Sequence, residues 1–179
     1  RTYLERDLRD LSSVSSLPDF RRLMELLGLH GAQVFNETEL ARRLAISQPT
    51  VHRWANLLET SNVLVRIPAY AVNRGKRLTK RPKAYLADPG LAAFLCGLYS
   101  ADEVENSREF GALFETLVLH HLRLLASQMS PPARVFHWRT SDGKEVDFIV
   151  THGRRSVAIE CKSTTRPREA HSRHLRLFR

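Results

Sequence analysis

The last third of the chain leaves the fewest folding choices. Three strand-like runs, RVFHWRT (134–140), EVDFIVT (145–151) and SVAIECKS (156–163), are separated by little more than SDGK and HGRR. Links this short, each with a glycine, permit only antiparallel neighbours, so the region predicts a strand meander. In front of it, SREFGALFETLVLHHLRLLASQ (107–128) predicts one long helix, ended by Met129-Ser130-Pro131-Pro132. Phe110, Leu113, Leu117, Leu124 and Leu125 are expected as its buried stripe. A helix laid on a strand meander is a layered α/β arrangement.

Charges interrupt these apolar runs. Alternation sets Ala158, Glu160 and Lys162 on one face of the last strand and Val157, Ile159 and Cys161 on the other. Asp147 is expected on the face opposite Val146, Phe148 and Val150, and a turn near Gly153 would bring it next to Glu160. Two adjacent carboxylates repel unless one is protonated or a cation lies between them. Mg²⁺ takes oxygen ligands of this kind, which makes Asp147 and Glu160 candidate ligands for Mg²⁺ or Mn²⁺. Lys162 then supplies a positive charge suited to a phosphate or an attacking water. The competing reading pairs the same acids with Lys162, Lys144 or Arg139 on a solvated sheet face, with no metal and no chemistry.

The preceding half, from Pro18 to about Asp88, reads as three helices and a hairpin. In NETELARRLAISQPTVHRWANLLETSNVLVRI (36–67), Asn36 or Thr38 caps one helix, Ala45-Ile46-Ser47 turns the chain, and Ser47 caps a second helix with Pro49 in its first turn. Val51, Trp54, Leu57 and Leu58 face inward, and Trp54 is expected in the core. The spacing is that of a helix-turn-helix, with strands at Val63–Ile67 and around Ala84–Leu86 closing a wing.

Charge suggests what this unit meets. The chain carries 28 Lys+Arg against 19 Asp+Glu, a formal +9, which favours a polyanionic partner, nucleic acid first. Between Thr60 and Ala87 stand Arg66, Arg74, Lys76, Arg77, Lys80, Arg81 and Lys83 with no acid among them. Such one-signed charge repels itself unless an anion neutralises it or solvent screens it. Gln48, Thr50, His52 and Arg53 of the second helix, with Arg74, Lys76, Arg77, Lys80 and Arg81, are the candidate nucleic-acid contacts.

No stretch reaches the roughly 18 apolar residues of a membrane span, and no signal segment opens the chain, so a cytoplasmic protein without a membrane partner is expected. Cys96 and Cys161 are expected as free thiols. The chain opens at Arg1 without a methionine and is expected to be a fragment. Two domains are expected, 1–88 with the N-terminal helices and winged helix, and 89–179.

The order Glu115 on a helix, Asp147 on a strand, then Glu160-Cys161-Lys162 on the next resembles the PD-(D/E)XK nuclease superfamily. The resemblance implies a restriction-endonuclease-like α/β (α+β) domain. It implies that Asp147, Glu160 and the Cys161 carbonyl hold the metal, that Lys162 activates water, and that Glu115 supports a second ion or a metal-bound water. Over nearly the whole chain, IPAYAVNRGKRLTKRPKAYLADPGLAAFL (67–95), FGALFETLVLHHL, WRTSDGKEVDFIV and IECKST are similar to the uncharacterised C-terminal domain of prokaryotic AAA-type ATPases. There the ATPase precedes a winged helix and a nuclease-like domain that continues beyond the segment matching Phe178, so the nuclease-like fold would be incomplete here. The chain has no G-x-x-x-x-G-K-[ST] of its own, so the ATPase module would be a partner in the longer protein. The resemblance thus implies a C-terminal part of an ATPase that binds nucleic acid, DNA in the first place, and hydrolyses phosphodiesters. The alternative is a noncatalytic nucleic-acid- or partner-binding module, and a third reading is a transcription regulator.

Overall fold

The computed structural model describes residues 14–71, 80–166 and 168–178, so Arg74, Lys76 and Arg77 lie outside the described residues. The architecture is mixed α and β, with two three-stranded antiparallel sheets.

Helix α1 (Leu17–Leu29) starts at Ser16, whose hydroxyl accepts from the Asp19 N–H. After β1 (Gln33–Val34), Asn36 caps α2 (Glu37–Leu44) by accepting from the Glu39 N–H at 3.3 Å. Ala45 is left-handed, with φ 55°, and turns the chain into α3 (Gln48–Thr60). The Ser47 hydroxyl accepts from the Thr50 N–H at 3.2 Å, satisfying one of the first-turn donors that have no intrahelical partner. The apolar faces of α1, α2 and α3 meet in one core around Leu23, Leu44, Val51 and Leu58. Trp54, 1% exposed, meets Phe20 edge to face at 5.5 Å, where the sequence places it.

Strands β2 (Leu64–Ile67) and β3 (Lys83–Leu86) complete the first sheet in the order β1-β3-β2. Strand β3 is therefore central, and all four of its residues are buried. Asp88 caps α4 (Pro89–Leu95). A Ser100–Glu103 capping box starts α5 (Ala101–Glu105), an element the hydrophobic pattern does not announce. Then come α6 (Phe110–Gln128) and the second sheet, β4 (Arg134–Arg139), β5 (Glu145–His152) and β6 (Arg155–Ile159), in the order β4-β5-β6. This is the expected meander, with Gly153 at φ 59° in its second turn. The two sheets are tied by the Tyr70 N–H donating to the His137 carbonyl at 2.6 Å and the His137 N–H donating to the Pro68 carbonyl at 3.1 Å.

Two expectations are corrected. Helix α6 buries Leu113, Thr116, Leu119 and Ala126, whereas Leu117, Leu124 and Leu125 are exposed. The helix is apolar nearly all round, so periodicity alone does not fix its inner face. The face that turns inward is the one bringing Glu115 to β3. The second correction concerns β5. Phe136 pairs with Ile149 and Trp138 with Val146, so His137 of β4 stands opposite two residues, Asp147 and Phe148. This β-bulge breaks strict alternation. Phe148 packs with Tyr85 and Leu119, while Val146 and Ile149 pack with Phe136. Asp147 thus shares a side with Phe148 instead of opposing it.

Among the described residues no helix is long and apolar enough to cross a membrane. Cys96 and Cys161 are free thiols, as expected.

Candidate functional site

The acids gather around a lysine that the sequence reading assigned to the basic surface. Lys83, in the central strand β3, is 2% exposed. Its ammonium lies 3.0 Å from Glu115 of α6, 2.5 Å from Glu145 and 3.7 Å from Asp147, both of β5. Tyr85, two residues along β3 and so on the same side, donates its hydroxyl to Glu115 at 2.6 Å. Burial alone drives Lys83 toward the neutral amine, but Glu115, Glu145 and Asp147 outweigh it and hold its pKa above the ordinary value. For Glu115 burial wins. Helped by the nearby Asp147, it lifts the carboxyl above the usual range against the pull of Lys83 and Tyr85. Burial, then Glu115, raises Tyr85 as well, so its hydroxyl stays a donor.

The expected Asp147–Glu160 pair forms differently. The β5–β6 ladder ends at Phe148–Ile159, one step before Asp147 would face Glu160. The chain then leaves the sheet, and the Cys161 N–H donates to Asp147 Oδ2 at 2.8 Å. Burial, followed by the nearby Asp147, pushes the Cys161 thiol up to about 12, which leaves it no thiolate character near neutrality. Lys162 donates to Glu160 Oε1 at 2.7 Å, while Glu160 Oε2 is buried with no hydrogen-bond partner. Glu115 and Asp147 therefore meet at Lys83, and Glu160 and Lys162 form a separate pair at the rim.

This donor set does not fit the divalent ion that the resemblance implies. Among the described residues no three His, Cys, Asp or Glu side chains converge as metal ligands. The carboxylates that do converge already surround an ammonium, and Cys161 turns its N–H toward Asp147. His137, missed by sequence reasoning, borders the same region. It is 2% exposed, and its Nε2 lies 3.2 Å from the Arg81 carbonyl. Burial, reinforced by Lys83, lowers its pKa to about 4. Two signals in the sequence point to the cluster. Glu145 and Asp147 stand two apart on one strand, and Lys83 heads the run KAYL, too apolar for a wing exposed to solvent.

The second candidate surface is the outer side of α3. Val51, Trp54, Ala55 and Leu58 anchor that helix, and Gln48, His52 and Arg53 are exposed. Glu37 of α2 draws on two of them, accepting from Gln48 Nε2 at 3.2 Å and lying 2.9 Å from His52 Nδ1. Thr50 is half-buried, its hydroxyl 2.8 Å from Ser47 Oγ, where it supports the cap. Lys80 and Arg81 are exposed. Arg66 and Lys83 leave the one-signed segment. Arg66 is bonded to Glu59 and Asn56, and Lys83 lies among the acids.

Comparison with known proteins supplies no activity. Residues 110–179 match the family described as Domain of unknown function (DUF4143). An uncharacterized protein of Mycobacterium bovis and another of Mycobacterium tuberculosis are each 32% identical to the chain over 166 residues, 93% of its length. The aligned part is 37% of each relative, so the chain spans little more than a third of these curated proteins. No solved structure matches. Residues 1–102, more than half of the chain, match a second family model. The chain belongs to the family described as Domain of unknown function (DUF8612).

Proposed function

We propose that the chain is a noncatalytic nucleic-acid-binding module of a larger AAA-type ATPase, and that α3 is the element that meets the nucleic acid. The family matched by residues 110–179 is associated with the C-terminal regions of such ATPases. The observation that carries the reading is the outer side of α3, which presents Gln48, His52 and Arg53 to solvent from a helix whose opposite side is locked into the core. The order of elements around it, a helix, a turn at Ala45, a second helix and an antiparallel sheet in the order β1-β3-β2, supports a winged helix. Exposed Lys80 and Arg81, just ahead of β3, would add positive charge for phosphates.

The test is fluorescence anisotropy with labelled duplex and single-stranded DNA over a range of salt. Binding should weaken steeply with salt, and Arg53→Ala and Arg81→Ala should each flatten the log–log slope by about one. An affinity that is absent at low salt, or that ignores both substitutions, overturns the reading. Cleavage of either DNA in Mg²⁺ or Mn²⁺ that disappears in Asp147→Ala would overturn the noncatalytic part alone.

A further inference from the structure

We infer that Lys83 is the resident cation of the acid cluster, and that its ammonium closes Glu115, Glu145 and Asp147 to divalent metal for as long as β3 holds its place in the sheet. Three carboxylates brought this close repel one another unless a proton or a cation lies among them. The charge present is an ammonium at 3.0, 2.5 and 3.7 Å from the three. A divalent ion would need oxygen ligands at roughly 2.0–2.6 Å, and the acids instead stand around the ammonium without converging on such a point. Two cations cannot share that space without strong repulsion.

The lysine also cannot step aside. Strand β3 pairs with Val34 of β1 and with Ile67 of β2 at the position of Lys83 itself, so the backbone is held on both edges. The side chain is 2% exposed, and swinging it out would leave the largely buried Glu115 and Asp147 without a counter-charge, with Arg139 at 3.7 Å left to Glu145 alone. The remaining contacts match this arrangement. Tyr85 steadies Glu115 and the Cys161 N–H steadies Asp147, so the acids are oriented without a metal. The cluster thus joins the unit bearing α3 to the unit bearing β5 by charge. The inference does not rest on nucleic-acid binding.

Mn²⁺ titration followed by electron paramagnetic resonance tests it on the wild-type chain, Lys83→Met, and Lys83→Met combined with Asp147→Asn, with folding followed by circular dichroism. The wild type should take up no Mn²⁺ saturably. Lys83→Met should bind one equivalent saturably, at least about tenfold more tightly than any residual uptake by the wild type, a difference of about 1.4 kcal/mol, and the double variant should lose it. Saturable, Asp147-dependent uptake by the wild type overturns the inference, and so does a folded Lys83→Met that binds none. If Lys83→Met unfolds in the absence of metal, recovery of its circular dichroism on adding Mn²⁺ supports the inference and failure to recover overturns it.

Discussion

Acidification should loosen this protein through one imidazole. His137 lies at the bulge, 2% exposed, with the Arg81 carbonyl 3.2 Å from Nε2 and no hydrogen-bond partner for Nδ1. Its pKa falls from 6.5 to about 4 on folding, chiefly through burial. The folded chain therefore keeps the ring neutral while the unfolded chain takes up a proton, and falling pH favours the unfolded chain. The contribution is complete above pH 6.5 and is lost as the pH drops toward 4. At about 1.4 kcal/mol per pH unit, the full separation amounts to ~3 kcal/mol, and the part lost between pH 7 and pH 5 to ~2 kcal/mol. His137→Gln keeps a donor for the Arg81 carbonyl and removes the titration. In urea unfolding at the two pH values, the wild type should lose ~2 kcal/mol more than His137→Gln. Every other side chain is common to the two chains, so the difference isolates this ring. Equal losses in the two chains would refute the reasoning.

Three further outcomes are expected. Tyr85→Phe keeps the ring packed near Phe148, 6.0 Å between centroids, and removes the hydroxyl that donates to Glu115. It should cost about 1.5–3 kcal/mol in equilibrium unfolding, and a loss under ~0.5 kcal/mol would show that the bond contributes nothing. Lys83→Met should cost about 3–5 kcal/mol because it strands buried carboxylates, with part of the loss recovered when Glu115→Gln is added. A cost of Lys83→Met that Glu115→Gln leaves unchanged, measured in the same double-mutant cycle, would contradict the clustered-charge account. Ala45→Gly should stabilise by about 0.4–1 kcal/mol, because Ala45 sits at φ 55°, where glycine is not strained. Thermal unfolding at neutral pH checks it.

How much was legible in the sequence depended on whether local chemistry or tertiary contact decided each feature. Asn36 and Ser47 announce their helices because capping is a contact with the next few residues. Gly153 announces its turn for the same reason. Trp54 was legible because α3 has one clearly apolar side. Helix α6 has no such side, and the choice between Leu117 and Leu119 for the interior is made by β3, which lies far away in sequence. Lys83 illustrates the limit most sharply. In a run of basic residues it reads as one more surface cation, and only the pairing of β3 between β1 and β2 turns it into a buried one. Asp147 and Glu115 were singled out, Glu145 was not, and Glu160 was expected where Lys83 stands, because the counter-ion came from a segment with no sequence link to the acids. The bulge was invisible because period-two reasoning contains no place for an extra residue.

That extra residue fixes the length of β5 more tightly than its surroundings. Side chains in a strand repeat every two residues, so deleting one position between Val146 and Ile149 would remove the offset opposite His137 and restore simple alternation. Only Asp147 and Phe148 stand between them, so the side that holds both would keep one, and either Lys83 would lose its acid or Tyr85 and Leu119 would lose the aromatic ring. The loop 140–144, exposed over most of its length and turning at Gly143, φ 85°, carries no such restriction. Among relatives of this chain, insertions and deletions should accumulate in that loop and in the links around it, and the span from Glu145 to Ile149 should keep its count of residues even where its letters change.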